Sequence, residues 1–95
     1  MERPMWQFDF SRVQKKYWKL PPAIQDKILR WQREVVRYGL HQVRMKPGYH
    51  DEPLQGERFG QRSIRLNRSW RLIYEIQKND EIKIIQVLEI NKHEY

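Results

Sequence analysis

The sequence predicts an α+β fold, with an N-terminal short strand and a two-helix hairpin packed on a small antiparallel sheet. Three observations lead there. Apolar residues recur at helical spacing between residues 10 and 39 and at strand spacing between residues 61 and 91. The stretch between them holds Pro47, Gly48, Pro53, Gly56 and Gly60, which mark loops and turns. The chain has 95 residues with four Trp, five Tyr and three Phe, enough aromatic volume for one core but not for two. Residues 1–95 are therefore expected to form a single domain.

Each element has a local reason. Trp6, Phe8 and Phe10 alternate and suggest a short first strand. Ser11 offers a hydroxyl at a helix N-cap, and Val13, Tyr17 and Leu20 follow at helical spacing with Lys15, Lys16 and Lys19 opposite. Pro21-Pro22 ends that helix, and Pro22 suits the first turn of the next. Ile24, Ile28, Trp31 and Val35 form the second helix's apolar stripe, and Gly39 suits its C-terminal stop. Ser63-Ile64-Arg65-Leu66 alternates, and Asn67-Arg68-Ser69 reads as a tight turn. Trp70 to Ile76 is apolar on both faces, with Leu72, Tyr74 and Ile76 against Ile73, so it is expected to be central. Asn79-Asp80 marks another turn. Ile82 to Ile90 forms a last strand, whose alternation sets Ile85, Val87, Glu89, Asn91 and His93 on one side.

Composition excludes several classes. There is no Cys, so neither a disulfide scaffold nor a Cys-ligated zinc site is possible. The longest apolar runs are two or three residues, too short to span a membrane. Met1-Glu2-Arg3-Pro4 lacks the apolar segment of a secretory signal, which makes a cytoplasmic location the expectation. No phosphate-loop, dinucleotide or nucleophile-elbow motif is present. His41 and His50 are not at a metal-ligand spacing, and the Asp51-Glu52 loop lacks the alternation of a calcium loop, so no metal is expected. The formal charge of +7 and pI of about 9.9 favour a polyanionic partner.

Candidate chemistry lies in three places. Arg58, Arg62, Arg65, Arg68 and Arg71 crowd one segment with only the adjacent Glu57 opposing them, and guanidinium is the side chain best suited to phosphate. Period two puts Ser63 and Arg65 on one face and Arg62 and Ile64 on the other. A solvated basic hairpin accounts for Arg62 and Arg68 as well as phosphate contact does. Arg71 sits inside an apolar strand, where a charge needs a site or a partner; Glu75 and Glu89 are the available partners. His93 ends a central strand and has the chemistry of a general acid. The loop His50-Asp51-Glu52-Pro53-Leu54 brings two carboxylates just before the sheet, or is simply an exposed turn.

Leu54-Gln55-Gly56, Gly60-Gln61-Arg62-Ser63-Ile64-Arg65-Leu66, Trp70-Arg71-Leu72-Ile73-Tyr74 and His93-Glu94-Tyr95 together resemble the RelE/ParE superfamily of bacterial type II toxins. The resemblance covers nearly the whole chain and implies the microbial RNase-like fold of that family. Its RelE, YoeB, YafQ and HigB-type branches are ribosome-dependent mRNA endonucleases. Its ParE branch poisons DNA gyrase, and an inactive member serving only as an antitoxin partner is a third possibility. Glu52-Pro53-Leu54 looks like the YoeB segment that supplies a general base. By that resemblance Glu52 is the base, Arg65 and Arg71 clamp the phosphate, and His93 is the acid. Arg62 and Arg68 are further substrate contacts. Tyr95 is another, offering a ring for a base to stack on, as Trp70 does, unless the two rings are packing residues. Tyr95 is separated from His93 by one residue, where YoeB has the pair adjacent. Ser63 replaces one of RelE's lysines, which favours a Glu/His mechanism. The implied partners are the ribosomal A site with its mRNA and a cognate antitoxin that shields Arg65 and Arg71, with no cofactor.

Overall fold

A computed structural model of the chain describes residues 5–79 and 82–92. His93 and Tyr95, and the turn expected at Asp80, lie outside the described residues. The elements run β1 (Met5–Asp9), α1 (Gln14–Tyr17), α2 (Pro22–Tyr38), α3 (Leu40–Arg44), β2 (Glu52–Pro53), β3 (Arg62–Arg65), β4 (Trp70–Asn79) and β5 (Ile82–Lys92). The five strands form one sheet in the order β1-β5-β4-β3-β2. The pairs β3–β4 and β4–β5 are antiparallel as expected. β2, in the segment read as a loop, adds an antiparallel edge beside β3. β1 instead lies parallel to β5 and makes the sheet mixed.

The first helix is shorter than its apolar spacing suggests. A 3-10 turn over Ser11–Val13 precedes the four residues of α1. Ser11 is not the cap: Phe10 holds that position without a side-chain bond, and Asp9 Oδ1 accepts the Ser11 N–H at 2.9 Å. A carboxylate is the stronger acceptor for a free helical N–H, and Pro21 stops the helix before it lengthens. α2 follows expectation. Pro22 stands in its first turn, and Ile24, Ile28, Trp31 and Val35 are all buried. Each of these side chains contributes on the order of 2 kcal/mol through removal from water.

Gly39 ends α2 at φ 84, ψ 150, and its N–H donates to Val35 O at 2.8 Å. That conformation is essentially restricted to glycine. The helix stop was legible, but not the return to helix in α3, which buries Leu40 and Val43. Gly39→Ala finds open space for its methyl group, so its cost is purely conformational. It is expected to lower the unfolding free energy by about 1–3 kcal/mol, read from the urea midpoint.

All of the core lies on one face of the sheet. Trp31 meets Phe8 of β1 at 5.6 Å and Tyr74 of β4 at 5.4 Å between ring centroids. Ile64, Leu72 and Ile90 pair in a buried row across three strands. Trp70 packs against this core. Asn67 closes the β3–β4 turn by accepting the N–H groups of Ser69 and Trp70 at 2.7 and 2.8 Å.

β5 corrects one expectation from alternation. Ile73 pairs with Glu89 but Tyr74 pairs with Val87, so Leu88 is an extra residue. This bulge reverses the side-chain alternation along β5. Ile85 and Val87 point into the core before it, and Ile90 does so after it. Glu89 and Asn91 therefore lie on the opposite face from Ile85 and Val87, not on the same one.

Candidate active site on the open face of the sheet

The face turned away from α2 carries two adjoining rows of side chains. One row is Arg65, Arg71 and Asn91, from β3, β4 and β5. The next is Glu52, Ser63, Ile73 and Glu89, from β2 to β5. Directly opposed residues in an antiparallel pair have Cβ atoms about 5 Å apart, and like charges there repel. Arg65 and Arg71 are such a pair, each half-buried. Among the described residues neither guanidinium forms an ion pair. Two facing cations without a carboxylate form a receptor for an anion with several oxygens, since each offers a fork of N–H donors.

Glu52 stands on the same face, exposed, one strand from Arg65 and two from Arg71. Its diagonal distance to Arg65 is about 7–8 Å between backbone positions, which leaves room for a phosphodiester between them. The loop carrying Glu52 is not a free turn. Asp51, whose side chain is 1% exposed, accepts Arg62 Nε and the Tyr74 hydroxyl, both at 2.5 Å. Burial, then the Asp51 charge and its hydrogen bond, hold the Tyr74 phenol far above the usual tyrosine range. His50 turns the chain into this clamp with a left-handed φ of 45. Upstream, Tyr49 is buried and donates to Glu34 of α2, whose other oxygen takes Lys46 Nζ at 2.8 Å. Helix and sheet together thus fix both sides of the segment that presents Glu52.

On the far side of the arginine pair, Glu89 forms an ion pair with Arg58 from the 3-10 turn Gly56–Arg58. Asn91 Nδ2 donates to Glu89 Oε1 at 3.0 Å, and Lys16 Nζ donates to Asn91 Oδ1 at 2.9 Å. The Asn91 hydrogen bond, followed by Arg58, lowers the Glu89 pKa against the opposing effect of burial. Glu34 is lowered too: burial pushes it up, but the bonds from Lys46 and Tyr49 and the nearby lysines prevail. Asp9 is lowered by Ser11. Carboxyls depressed in the folded state make the unfolded chain the better proton acceptor, so their stabilisation is present above the ordinary carboxyl range and lost below it. The urea midpoint is expected to hold level from pH 7 to about 5 and then fall steadily.

The sequence candidates divide accordingly. Glu52, Arg65 and Arg71 share the open face. Arg62 pairs with Tyr74 in register and so belongs to the core face, where Asp51 holds it; it does not join the other two arginines. Arg68 is exposed in the β3–β4 turn. Asp51, Arg58 and Glu89 are parts of the arrangement whose roles sequence reasoning missed. Arg58 was visible only as one of the arginine run, and Asp51 only as one of two loop carboxylates. Among the described residues no three His, Asp or Glu side chains gather as a metal site requires, and no helix is long and apolar enough to cross a membrane.

Solved structures resemble this chain over almost its whole length. A YoeB/ParE toxin from Agrobacterium tumefaciens matches with a TM-score of 0.66 at 20% identity, covering 95% of this chain and 99% of its own. The chain has the fold of the RelE/YoeB/YafQ toxins. The RelBE2 toxin–antitoxin complex from Mycobacterium tuberculosis contributes a match at TM-score 0.61 and 23% identity, covering 97% of this chain and 100% of the other. YafQ from Escherichia coli gives 0.62 at 16% identity, covering 95% and 93%. No protein-family profile and no curated protein sequence matches the chain. In this fold the candidate site occupies the face of the sheet turned away from α2.

Proposed function

We propose that the chain is the toxin of a type II toxin–antitoxin pair, and that it cuts translated mRNA on the ribosome by metal-independent acid–base chemistry. The observation that carries this reading is the opposed Arg65–Arg71 pair, without an ion-pair partner among the described residues and flanked by Glu52. Glu52 takes the proton from a ribose 2′-OH, and that oxygen attacks the adjoining phosphorus. Arg65 and Arg71 bind the non-bridging oxygens as their charge grows. His93 gives a proton to the departing 5′-oxygen. The products are a 2′,3′-cyclic phosphate and a 5′-hydroxyl. The surplus cations dock the protein on ribosomal RNA, so binding weakens steeply with salt and ignores sequence. The partner is an acidic antitoxin that orders as it covers Arg65 and Arg71. The solved relatives captured with antitoxins, the RelBE2 complex and the YoeB–YefM complex from Staphylococcus aureus, support that assignment.

The test is primer extension on mRNA translated by purified 70S ribosomes, with wild type and the Glu52→Ala/His93→Ala double variant. Wild type is expected to leave discrete cuts within codons and the double variant none. A double variant that still arrests growth, with gyrase inhibited and mRNA intact, would identify a gyrase poison instead. No arrest by the wild type in a host without the antitoxin would identify an inactive partner protein.

A further inference from the structure

The register sets Glu89 close to Arg71. It lies on the same face, on the neighbouring strand and one row along, a diagonal of about 7–8 Å between backbone positions. Glu75 shares that face but follows Arg71 by four residues, about 13 Å along the strand. A carboxylate at Glu89's position is the natural partner for a half-buried guanidinium, and pairing the two would neutralise the anion receptor. Its side chain goes elsewhere. Arg58 reaches in from outside the sheet to take Glu89, steadied by its own bond to Gln61 Oε1 at 2.9 Å. Asn91, directly opposite Arg71, supplies a second donor to Glu89 and is itself tied to Lys16.

We propose that Arg58 is a positioning residue that holds Glu89 away from Arg71 and so keeps the Arg65–Arg71 pair open to a phosphodiester. This rests on the reading of that pair as the phosphate clamp. When Arg58 is absent, Glu89 swings to Arg71 and becomes an internal competitor present at high effective concentration. An RNA phosphate must then displace it.

A double-variant cycle tests the idea, with fluorescence anisotropy of a labelled single-stranded RNA octamer at low salt. Arg58→Ala is expected to weaken binding about tenfold, the worth of one charge-assisted contact at the clamp. Glu89→Gln alone is expected to change binding by less than about twofold, because Arg58 already neutralises that carboxylate. Arg58→Ala/Glu89→Gln is expected to return to within about twofold of wild type. If Arg58→Ala costs as much in the Glu89→Gln background as in wild type, Arg58 touches the RNA directly and the proposal fails. It fails equally if Arg58→Ala has no effect. Arg71→Gln, run alongside, separates the two readings. Loss of binding there with no rescue in the cycle removes only the role of Arg58, whereas wild-type binding by Arg71→Gln removes the clamp itself. Melting curves of wild type and the four variants establish that each is folded.

Discussion

Arg71→Gln is expected to slow mRNA cutting on the ribosome by about 100-fold or more while leaving the protein as stable as wild type, or slightly more so. The two halves of that result have different origins. Cutting fails because a guanidinium that faces the growing phosphoryl charge has no replacement on β4; Arg65, across the strand pair, supplies only half of the fork. Stability holds because Arg71 opposes Arg65 with no carboxylate between them among the described residues, and removing one of two facing like charges relieves repulsion. Glutamine keeps most of the aliphatic stem that covers the sheet, so little packing is lost. Primer extension gives the first number and a thermal melt the second. A fall in melting temperature of more than about 5 °C would show that Arg71 is held by a structural pair, and the phosphate role would fail with it.

Asp51→Ala is expected to be the most damaging single change outside the apolar core. It leaves Arg62 and the Tyr74 hydroxyl without their shared carboxylate acceptor, in a loop where the Asp51 side chain is 1% exposed. Removing one member of a buried ion pair costs about 3 kcal/mol, and in a domain of this length that corresponds to a loss of more than about 10 °C in melting temperature. Activity is expected to fall as well, even at temperatures where the variant is folded, because β2 has only two residues and Asp51 immediately precedes Glu52. Glu52→Gln is the companion measurement. Glu52 is exposed, so the variant is expected to lose cutting with an unchanged melt. Equal losses of stability in both variants would mean that Glu52 is a structural residue.

The chain announces its elements far better than its pairings. Ile24, Ile28, Trp31 and Val35 mark the buried stripe of α2 because a helix face is a local property, set by spacing alone. Likewise Leu72, Tyr74 and Ile76 against Ile73 mark β4 as central. The parallel seat of β1 beside β5 is decided by contacts between residues nearly eighty positions apart, as in the pairing of Met5 with Ile82. No local pattern records that. The bulge at Leu88 is equally silent, since one inserted residue looks like ordinary continuation of an apolar strand. At the site, Arg71 was legible because a guanidinium amid Trp70, Leu72 and Ile73 demands an explanation. Asp51 was not, because its partners lie 11 and 23 residues downstream. The two acids named as partners for Arg71 included Glu89, and only the fold reveals that Arg58 takes it.

The extra residue at Leu88 has a bearing on how relatives of this chain should be compared. Every side chain after it owes its facing to the bulge that absorbs this residue. A homologue that lost the residue would pair regularly and keep its Glu-Ile-Asn facing as it is here. One that gained a further residue without a second bulge would keep the same order, yet would bury its acid and amide and push its isoleucine outward. Percentage identity would barely register the event. Register-aware alignment around that point, rather than overall likeness, is therefore the criterion for deciding which members of such a lineage retain a working surface.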